Sequence, residues 1–521
     1  MIQQEEIRSI VDEEDFEDEF FEVKLIHKHK HDQAVVEGEI SRPMLISSSG
    51  GGGHIAAANA LTSLFDKAQL DKYQPVPYEQ KVSTLMGLSI FTASQINNFE
   101  SIQSIIEALN LPVLPDHVKL RRAINQLKSD TPRYYIDMLL DVYPTGYENA
   151  AIWNTLQRED KKNELTKLVA LQAHNDRAFS DTVYNHYLKL LLDADNQGRP
   201  YTEIISTQVI GLKALCKAVK KYNELKHKNI KIHQYVTDLP TKGATHFFNA
   251  LTGLKPAYQQ QMNLYAVGMN KDIIDHYFPQ GQAFNGLYDL EPKDNPMIRP
   301  GFYDPANDNS QNFDKEVTLH LKDQSTHAVH PHEKIATIML GSQGGDDPGQ
   351  YIPGLLQNGM DKIFIFGGGN EDIAKKIREL PCYPENAGRI VLLDKQDDPF
   401  IAEVMTRSNV LIIRSGGLSV MEQMAMNHNE EQVILIHHAD AETEELQSGI
   451  AWEDCNAEEM IKSLDNIRVE KTSPSRCFRQ IRRLLNTHAA DMADIEQNWD
   501  ESAGSLEGID ENWQVIEPAK I

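Results

Sequence analysis

A histidine follows four consecutive glycines, Gly50–Gly53, between an apolar run and a run of small residues. The apolar run Met44–Ile46 predicts a buried strand, and the spacing after His54 predicts an amphipathic helix. Glycines at the start of a helix let the backbone approach a ligand and direct free N–H groups at an anion. The helix dipole lowers the pKa of His54 and favours the neutral form, which can accept a proton. A flexible Gly-Ser linker and a histidine that only caps the helix are the alternatives.

A second glycine-rich stretch, "IMLGSQGGDDPG", includes Gly341–Gly349 and also lies between a predicted strand and a predicted helix. Small residues at such a position leave backbone donors free for an anion. A simple tight turn explains the same residues equally well.

A third stretch, "LIIRSGGLSVMEQMAM", places Arg414 at the end of a predicted strand and Gly416 and Gly417 after it. Ser419 and Glu422 are three residues apart on one face of the first helical turn. A carboxylate there can accept two hydrogen bonds from a vicinal diol such as a ribose, and the helix start favours its charge. Ordinary capping by glutamate is the alternative.

An arginine in a stiff segment, Arg299 of "NPMIRPGFYDP", lies between the two halves of the chain. Its guanidinium fork could clamp a diphosphate that spans a cleft. A structural salt bridge is an equally good interpretation.

The composition excludes several classes of function. The chain has 521 residues and a formal net charge of −26, which disfavours nucleic acid and anionic membranes as partners. No apolar run approaches the roughly 18 residues of a membrane span. The first residues lack the pattern of a secretory signal, and the four cysteines lack CxxC spacing, so we expect a cytoplasmic protein with reduced thiols. Histidine clusters at His27–His31 and His327–Glu333 lie in a charged arm and a linker, and we expect no metal site.

The remaining sequence supplies the elements that position these residues. Apolar, β-branched runs alternate with helical patterns, which predicts an α/β fold with doubly wound parallel sheets and ligands at the carboxyl ends of the strands. A stretch at about 75–200 has helical spacing without strands and predicts a helical insertion. We divide the chain into an acidic arm (1–40), an N-terminal α/β domain (41–305), a linker (306–332), a C-terminal α/β domain (333–470), and a helix with an acidic tail (471–521).

Together these stretches resemble the glycosyltransferase group that contains the peptidoglycan N-acetylglucosaminyltransferase of the MurG type and the monogalactosyldiacylglycerol synthases. "GGGGHIAAANAL", "LGSQGG" and "RSGGLSVME" resemble the first-loop and donor-domain signatures, whereas "VTDLPTKGATHFFN" and "MIRPGF" resemble the galactolipid synthases. The resemblance covers residues 42–65, 200–305 and 333–450. It implies a GT-B fold, two Rossmann-like domains that face a cleft, with inversion at the anomeric carbon and no obligatory metal or other cofactor.

The resemblance also implies a role for individual residues. His54 and Asp238 of the TDL segment are the catalytic candidates; we prefer Asp238 as the general base and His54 as a phosphate or acceptor contact. Gly51, Gly52 and Gly53 are expected at the acceptor. The donor nucleotide sugar is expected to contact a larger set: Arg299, Gly341, Ser342, Gln343, Gly344, Arg414, Gly416, Gly417, Leu418, Ser419 and Glu422.

The sequence departs from the family pattern at two places. An acidic segment with Glu444, Glu445 and Gln447 replaces the segment expected at the donor sugar, and Asp346 and Asp347 accompany the presumed phosphate loop. The identity of the sugar therefore stays open. A non-catalytic nucleotide-sugar sensor or scaffold and a glycolipid synthase with peripheral membrane contact at Leu85–Ala93 are the alternatives.

The acceptor is also open. A soluble acceptor, with a protein as one option, suits the negative charge better than an embedded lipid, and integral membrane association is disfavoured. The acidic tail would also suit a bacterial protein exported into a host cell.

Overall fold

The computed structural model describes the following residues of the chain: 24–25, 42–48, 52–62, 135–143, 146–158, 164–165, 168–169, 176–242, 248, 250–251, 254–278, 286–299, 301–303, 316–320, 326–341, 348–367, 372–393, 396, 398–428, 432–437, 451–464 and 467–486. Two parallel sheets with helices packed against them make up most of this part, as the alternating sequence pattern predicts. The predicted α/β fold with two Rossmann-like domains is confirmed.

The N-terminal sheet has seven strands in the order β1-β7-β6-β5-β4-β2-β3, and every neighbouring pair is parallel. Counted from β2, six of them follow the order 2-1-3-4-5-6 of a doubly wound sheet. The strands are β1 (Lys24–Leu25), β2 (Pro43–Ser47), β3 (Tyr135–Asp137), β4 (Glu203–Ser206), β5 (Ile232–Tyr235), β6 (Met262–Val267) and β7 (Leu287–Leu290). Its helices are α1 (Gly53–Thr62), α2 (Gly146–Arg158), α3 (Ser180–Asn196), α4 (Leu212–Lys226), α5 (Pro256–Gln259) and α6 (Lys271–Tyr277).

The C-terminal sheet has six strands in the order β12-β11-β10-β13-β14-β15, all parallel. Counted from β10, this is the order 3-2-1-4-5-6 of the dinucleotide-binding fold. The strands are β10 (Ile335–Met339), β11 (Lys362–Phe366), β12 (Ile390–Leu393), β13 (Val410–Ile413), β14 (Val433–His437) and β15 (Arg468–Thr472). The helices are α7 (Ile352–Gln357), α8 (Asp372–Arg378), α9 (Tyr383–Asn386), α10 (Asp398–Arg407), α11 (Gly417–Ala425), α12 (Ala451–Ser463) and α13 (Pro474–Asn486).

Three details differ from the sequence pattern. The short strand β3 and a π-helical turn, Met138–Val142, interrupt the stretch expected to be helical. The two residues of β1 belong to the predicted acidic arm, yet they extend the edge of the sheet beside β7. An antiparallel hairpin, β8 (Val317–His320) and β9 (Thr326–Val329), lies in the predicted linker. Short strands of two to four residues carry too little periodicity to be visible in a sequence pattern.

One buried cluster joins the two domains. It contains side chains of the N-terminal sheet, such as Leu45 and Tyr265, together with C-terminal side chains such as Leu411 and Leu418. Burying an aliphatic side chain stabilises a fold by about 1.5–3 kcal/mol, so a shared cluster of this kind favours contact between the domains. The carboxyl ends of both sheets meet at this junction, since α1 contacts α11.

No helix within the described ranges is long and apolar enough to cross a membrane. All four cysteines are described, and none forms a disulfide.

Candidate functional site

Each sheet has one switch point, where the strand order reverses and where ligands of doubly wound folds bind. In the N-terminal sheet it lies between β2 and β4, and the glycine loop follows β2 directly. In the C-terminal sheet it lies between β10 and β13, which are followed by Gly341 and by Arg414 to Gly417. The described residues that flank the predicted glycine loops, Ser48, Gly52 and Gly341, and those of Arg414–Gly417 therefore lie at the switch points of the two sheets.

The two switch points face each other. A Cβ atom placed on Gly53, the first residue of α1, would lie 3.9 Å from the Cβ of Leu418 in the first turn of α11. Within the C-terminal domain, a Cβ on Gly341 would lie 3.9 Å from Cδ of Arg414. Gly341 has φ +86°, a conformation that favours glycine. The structure thus brings His54, Gly53, Gly341 and the start of α11 to one junction between the domains.

His54 is held by the end of β4 and the segment after β5. Its Nδ1 lies 2.7 Å from the carbonyl oxygen of Thr207 and 3.1 Å from Oγ1 of Thr237. Because a carbonyl only accepts, Nδ1 carries the proton, and in the neutral ring Nε2 holds the lone pair. Burial lowers the pKa of His54 to about 4, against a smaller upward effect of the Thr207 hydrogen bond. The ring is therefore neutral at pH 7, through burial more than through the helix dipole that the sequence suggested.

Asp238 lies three residues beyond the end of β5 and is 8% exposed. Its Oδ1 accepts a hydrogen bond from Nδ2 of Asn456 at 2.9 Å, and its carboxylate accepts another from the backbone N–H of Gly417. Burial raises the pKa of Asp238 to about 7; the Asn456 and Gly417 hydrogen bonds oppose this shift, whereas the charge of Glu453 adds to it. A carboxyl group with this pKa can both take up and release a proton near neutral pH.

Gly417 makes a very tight contact between the domains. A Cβ atom on it would lie 2.3 Å from the carbonyl oxygen of Thr237 and 2.4 Å from Cα of Asp238. A Cβ on the preceding Gly416 would meet no atom of the described residues within 4 Å. The sequence predicted that these glycines let a backbone come close to a ligand. In the described arrangement the backbone that approaches Gly417 is that of the TDL segment.

Arg299 and Glu422 are paired with each other. Nε and Nη2 of Arg299 donate to the two carboxylate oxygens of Glu422 at 2.5 and 2.7 Å. Glu422 has no exposed surface, and the guanidinium also lies 5.0 Å from the ring centre of Phe302. The salt bridge that the sequence left open for Arg299 is therefore present. Contact of Arg299 with diphosphate and of Glu422 with ribose stays a prediction, and both contacts require this buried pair to become accessible.

Arg414 connects three elements at the end of β13. Its Nη1 donates to the carbonyl oxygen of Gln157 in α2 at 3.1 Å, and its Nη2 donates to Glu453 in α12 at 3.2 Å. The side chain is 9% exposed, and Glu453 offsets its charge. A role at the donor diphosphate stays a prediction for Arg414 as well.

The other predicted residues divide into two groups. Gly52 is half-buried before α1, Leu418 is buried, and Ser419 is half-buried in the first turn of α11. The following predicted residues lie outside the described ranges: Gly51, Ser342, Gln343, Gly344, Glu444, Glu445 and Gln447, and with them Asp346, Asp347 and Leu85–Ala93. Within the described part of the chain, no group of three or more metal-ligating side chains could hold a metal ion.

Three residues of this junction, Thr207, Asn456 and Glu453, have no signal in the sequence, and the fourth, Thr237, is visible only as part of the TDL segment. Thr207 and Thr237 hold His54, and Asn456 and Glu453 reach Asp238 and Arg414 from α12. Helix α12 is polar along most of its length, so its sequence does not distinguish a solvent-facing residue from one that reaches another domain.

Comparison with known proteins finds relatives in structure alone. No protein-family model matches the sequence, and no curated protein matches it either. Among solved structures, Arabidopsis thaliana UGT89C1 complexed with UDP-L-rhamnose is 12% identical, with 87% of this chain and 91% of that chain covered and a TM-score of 0.41. Acinetobacter baumannii MurG is 10% identical over 59% of this chain and 70% of that chain, with a TM-score of 0.34.

A third similar structure is the UDP-GlcNAc 2-epimerase of Neisseria meningitidis bound to UDP-GlcNAc. It is 9% identical over 59% of this chain and 74% of that chain, with a TM-score of 0.35. The three neighbours are thus a plant protein complexed with a UDP-sugar, a MurG and a UDP-GlcNAc 2-epimerase, each at most 12% identical to this chain.

Proposed function

We propose that the chain is an inverting glycosyltransferase that moves a sugar from a nucleoside-diphosphate sugar to a hydroxyl acceptor. The observation that carries the proposal is the meeting of the two switch points, where α1 and α11 begin opposite each other beside His54 and Asp238. Helix starts offer N–H groups to a diphosphate, and a carboxyl group with a pKa of about 7 can accept the proton of a hydroxyl group.

Asp238 is the better base of the two candidates. A base works best when its pKa lies near the working pH, and the pKa of Asp238 is about 7 whereas that of His54 is about 4. The neutral ring of His54, fixed through Nδ1 by Thr207, is instead a contact for the phosphate or the acceptor beside Asp238.

The reaction then proceeds as a single displacement. Asp238 takes the proton of the acceptor hydroxyl, whose oxygen bonds to the anomeric carbon from the face opposite the leaving group. The bond from that carbon to the diphosphate oxygen breaks, and its electron pair leaves with the diphosphate. The N–H groups at the start of α11 meet the charge that develops there, and one displacement inverts the anomeric centre.

Substrates enter when the domains separate at Gly417. In the described arrangement Gly417 lies against Thr237 and Asp238, so no ligand group fits at this one contact, and after the domains close the acceptor hydroxyl meets Asp238 beside it. The helical region around α2, which Arg414 contacts, supplies acceptor surface. A soluble acceptor, with a protein as the first class to test, suits the net charge of −26.

Binding and turnover test the proposal in sequence. A thermal-shift screen with nucleoside diphosphates and their sugars should find a stabilising ligand, because a ligand that binds the folded state raises its stability. The same nucleotide sugar should then release nucleoside diphosphate, and NMR of the transferred sugar should show the inverted anomer. The absence of any stabilising nucleotide contradicts the proposal, and binding without turnover supports the non-catalytic sensor or scaffold instead.

Two substitutions locate the chemistry. Asp238→Asn should cut turnover by a factor of ~10² to 10⁴, the usual contribution of a positioned base, without loss of nucleotide binding. His186→Gln in α3 is the control for the replacement of a buried titratable side chain outside α1, α11 and α12. Burial shifts the pKa of this histidine too, to about 4. Full turnover in the Asp238→Asn protein would place the base elsewhere.

A further inference from the structure

Asn456 connects the two domains through a single amide group. Its side chain is fully buried in α12, and its Nδ2 donates to Oδ1 of Asp238 at 2.9 Å and to the carbonyl oxygen of Ser415 at 3.0 Å. Asp238 belongs to the N-terminal domain, whereas Ser415 precedes α11 in the C-terminal domain. One side chain thus fixes the carboxylate relative to the start of α11.

The amide orientation follows from its partners. A carbonyl oxygen and an ionised carboxylate only accept, so the nitrogen of Asn456 faces both of them. Its Oδ1 is buried and has no hydrogen-bond partner among the described residues. An unpaired buried acceptor lowers stability, and an aliphatic residue of the same size would avoid that cost. What asparagine contributes at this position is therefore the pair of donated hydrogen bonds.

The charged groups around Asp238 come from three elements. Glu453, one turn before Asn456 in α12, faces both Asp238 and Arg414 of β13. The backbone N–H of Gly417 donates from the start of α11. On the N-terminal side, His54 is connected to the residue before Asp238, through Oγ1 of Thr237.

We propose that Asn456 is a positioning residue that holds Asp238 in the orientation for proton transfer, and that this hold forms only when the two domains are closed. The inference rests on the proposed function, because it assigns a task to the base named there. A carboxylate held across the junction becomes correctly placed at the moment when closure excludes water, so turnover depends on closure even though Asn456 contacts no substrate.

Asn456→Leu removes both donated hydrogen bonds and keeps the branched shape of the side chain in a somewhat larger volume. A hydrogen bond to the charged form lowers the pKa of a carboxyl group, so its loss raises the pKa of Asp238 by about one unit. The acid limb of the kcat profile should move to higher pH by that amount. At pH 7 the ionised fraction of Asp238 then falls from about one half to about one tenth, so the kcat should fall about fivefold or more, and the KM for the nucleotide sugar should change less than about threefold.

Asn358→Leu is the matched control. Its Nδ2 likewise donates two hydrogen bonds, here to the carbonyl oxygens of Gly354 at 2.7 Å and Phe478 at 3.2 Å, and neither acceptor belongs to the N-terminal domain. It should show a comparable loss of melting temperature with an unchanged pH profile. The proposal is overturned if the Asn456→Leu protein likewise loses only melting temperature. It is also overturned if the acid limb of its kcat profile stays in place or moves to lower pH.

A second measurement does not depend on turnover. Comparing the pH dependence of unfolding for the unchanged protein and the Asp238→Asn protein gives the pKa of Asp238. Repeating the comparison with Asn456→Leu present in both proteins gives the coupling of that pKa to Asn456. If the pKa of Asp238 is higher when both proteins carry Asn456→Leu, the result supports the proposal that Asn456 positions Asp238. An unchanged pKa refutes it. If no nucleotide sugar is ever turned over, the proposed function fails, yet this coupling still decides whether Asn456 holds Asp238.

Discussion

The substitution Asp238→Asn should make the protein more stable, and increasingly so as the pH rises. Burial raises the pKa of Asp238 from its ordinary 3.8 to about 7, because the folded protein disfavours the charged form. Stability from the protonated carboxyl is fully present below pH 4 and is lost as the pH rises to 7. Asparagine does not titrate, and its amide oxygen can still accept the hydrogen bond from Asn456.

The size of the effect follows from the pKa difference. A shift of one unit corresponds to 1.36 kcal/mol, so the folded state loses up to about 4 kcal/mol between pH 4 and pH 8 through this group. Between pH 5 and pH 8 the difference between the two proteins should grow by about 2.5 kcal/mol in favour of the Asp238→Asn protein. All other titrating groups are shared, so they cancel in the difference.

The assay is denaturant unfolding of both proteins at pH 5, 6, 7 and 8, followed by tryptophan fluorescence. The midpoint of the Asp238→Asn protein should approach that of the unchanged protein at pH 5 and exceed it clearly at pH 8. Parallel pH dependences would refute the raised pKa. If the unchanged protein instead has the higher denaturation midpoint, and the difference grows with pH, then the ionised carboxylate stabilises the junction.

Four further substitutions test the packing around α11. Gly417→Ala should lower the free energy of unfolding by at least about 2 kcal/mol in denaturant, or separate the domains in small-angle scattering. Gly416→Ala, at the neighbouring position, should change stability by less than about 0.5 kcal/mol. Equal effects of the two substitutions would contradict the tight contact. Arg299→Ala leaves Glu422 buried without its partner and should cost about 3–5 kcal/mol by the same unfolding measurement, so an unchanged midpoint would mean that the carboxylate is solvated. Gln423→Leu should stabilise the protein by about 1–3 kcal/mol in a thermal melt. The reason is that neither polar atom of this buried side chain has a partner within the described part of the chain. A loss of stability would show that the side chain of Gln423 forms hydrogen bonds.

The sequence predicted the features that short-range patterns carry. Runs such as β13 are apolar and β-branched because both faces of a parallel sheet are covered, and the glycine loops after β2 and β13 mark the strand ends. The two parallel sheets and the positions of those loops could be anticipated in this way, whereas the placement of His54 near Asp238 was implied by the family resemblance alone.

What the sequence could not supply were the partners of the charged residues. Arg299 and Glu422 are 123 residues apart in the chain, and no local pattern shows that each satisfies the other. Likewise, the raised pKa of Asp238 depends on burial by α11 and α12, which belong to another domain. Electrostatic environments of this kind arise from tertiary contacts, and spacing along one chain does not reveal them.

The segment from Asn295 to Phe302 follows the last strand of the N-terminal sheet but is fastened to the C-terminal domain. Nδ2 of Asn295 donates to the sulfur of Met421, and Arg299 forms an ion pair with Glu422. A Cβ on Gly301 would lie 3.2 Å from Cα of Pro399. In the proposed opening of the domains, these contacts would keep this piece of chain on the C-terminal domain. The backbone rotation would then fall immediately after β7, ahead of the hairpin formed by β8 and β9.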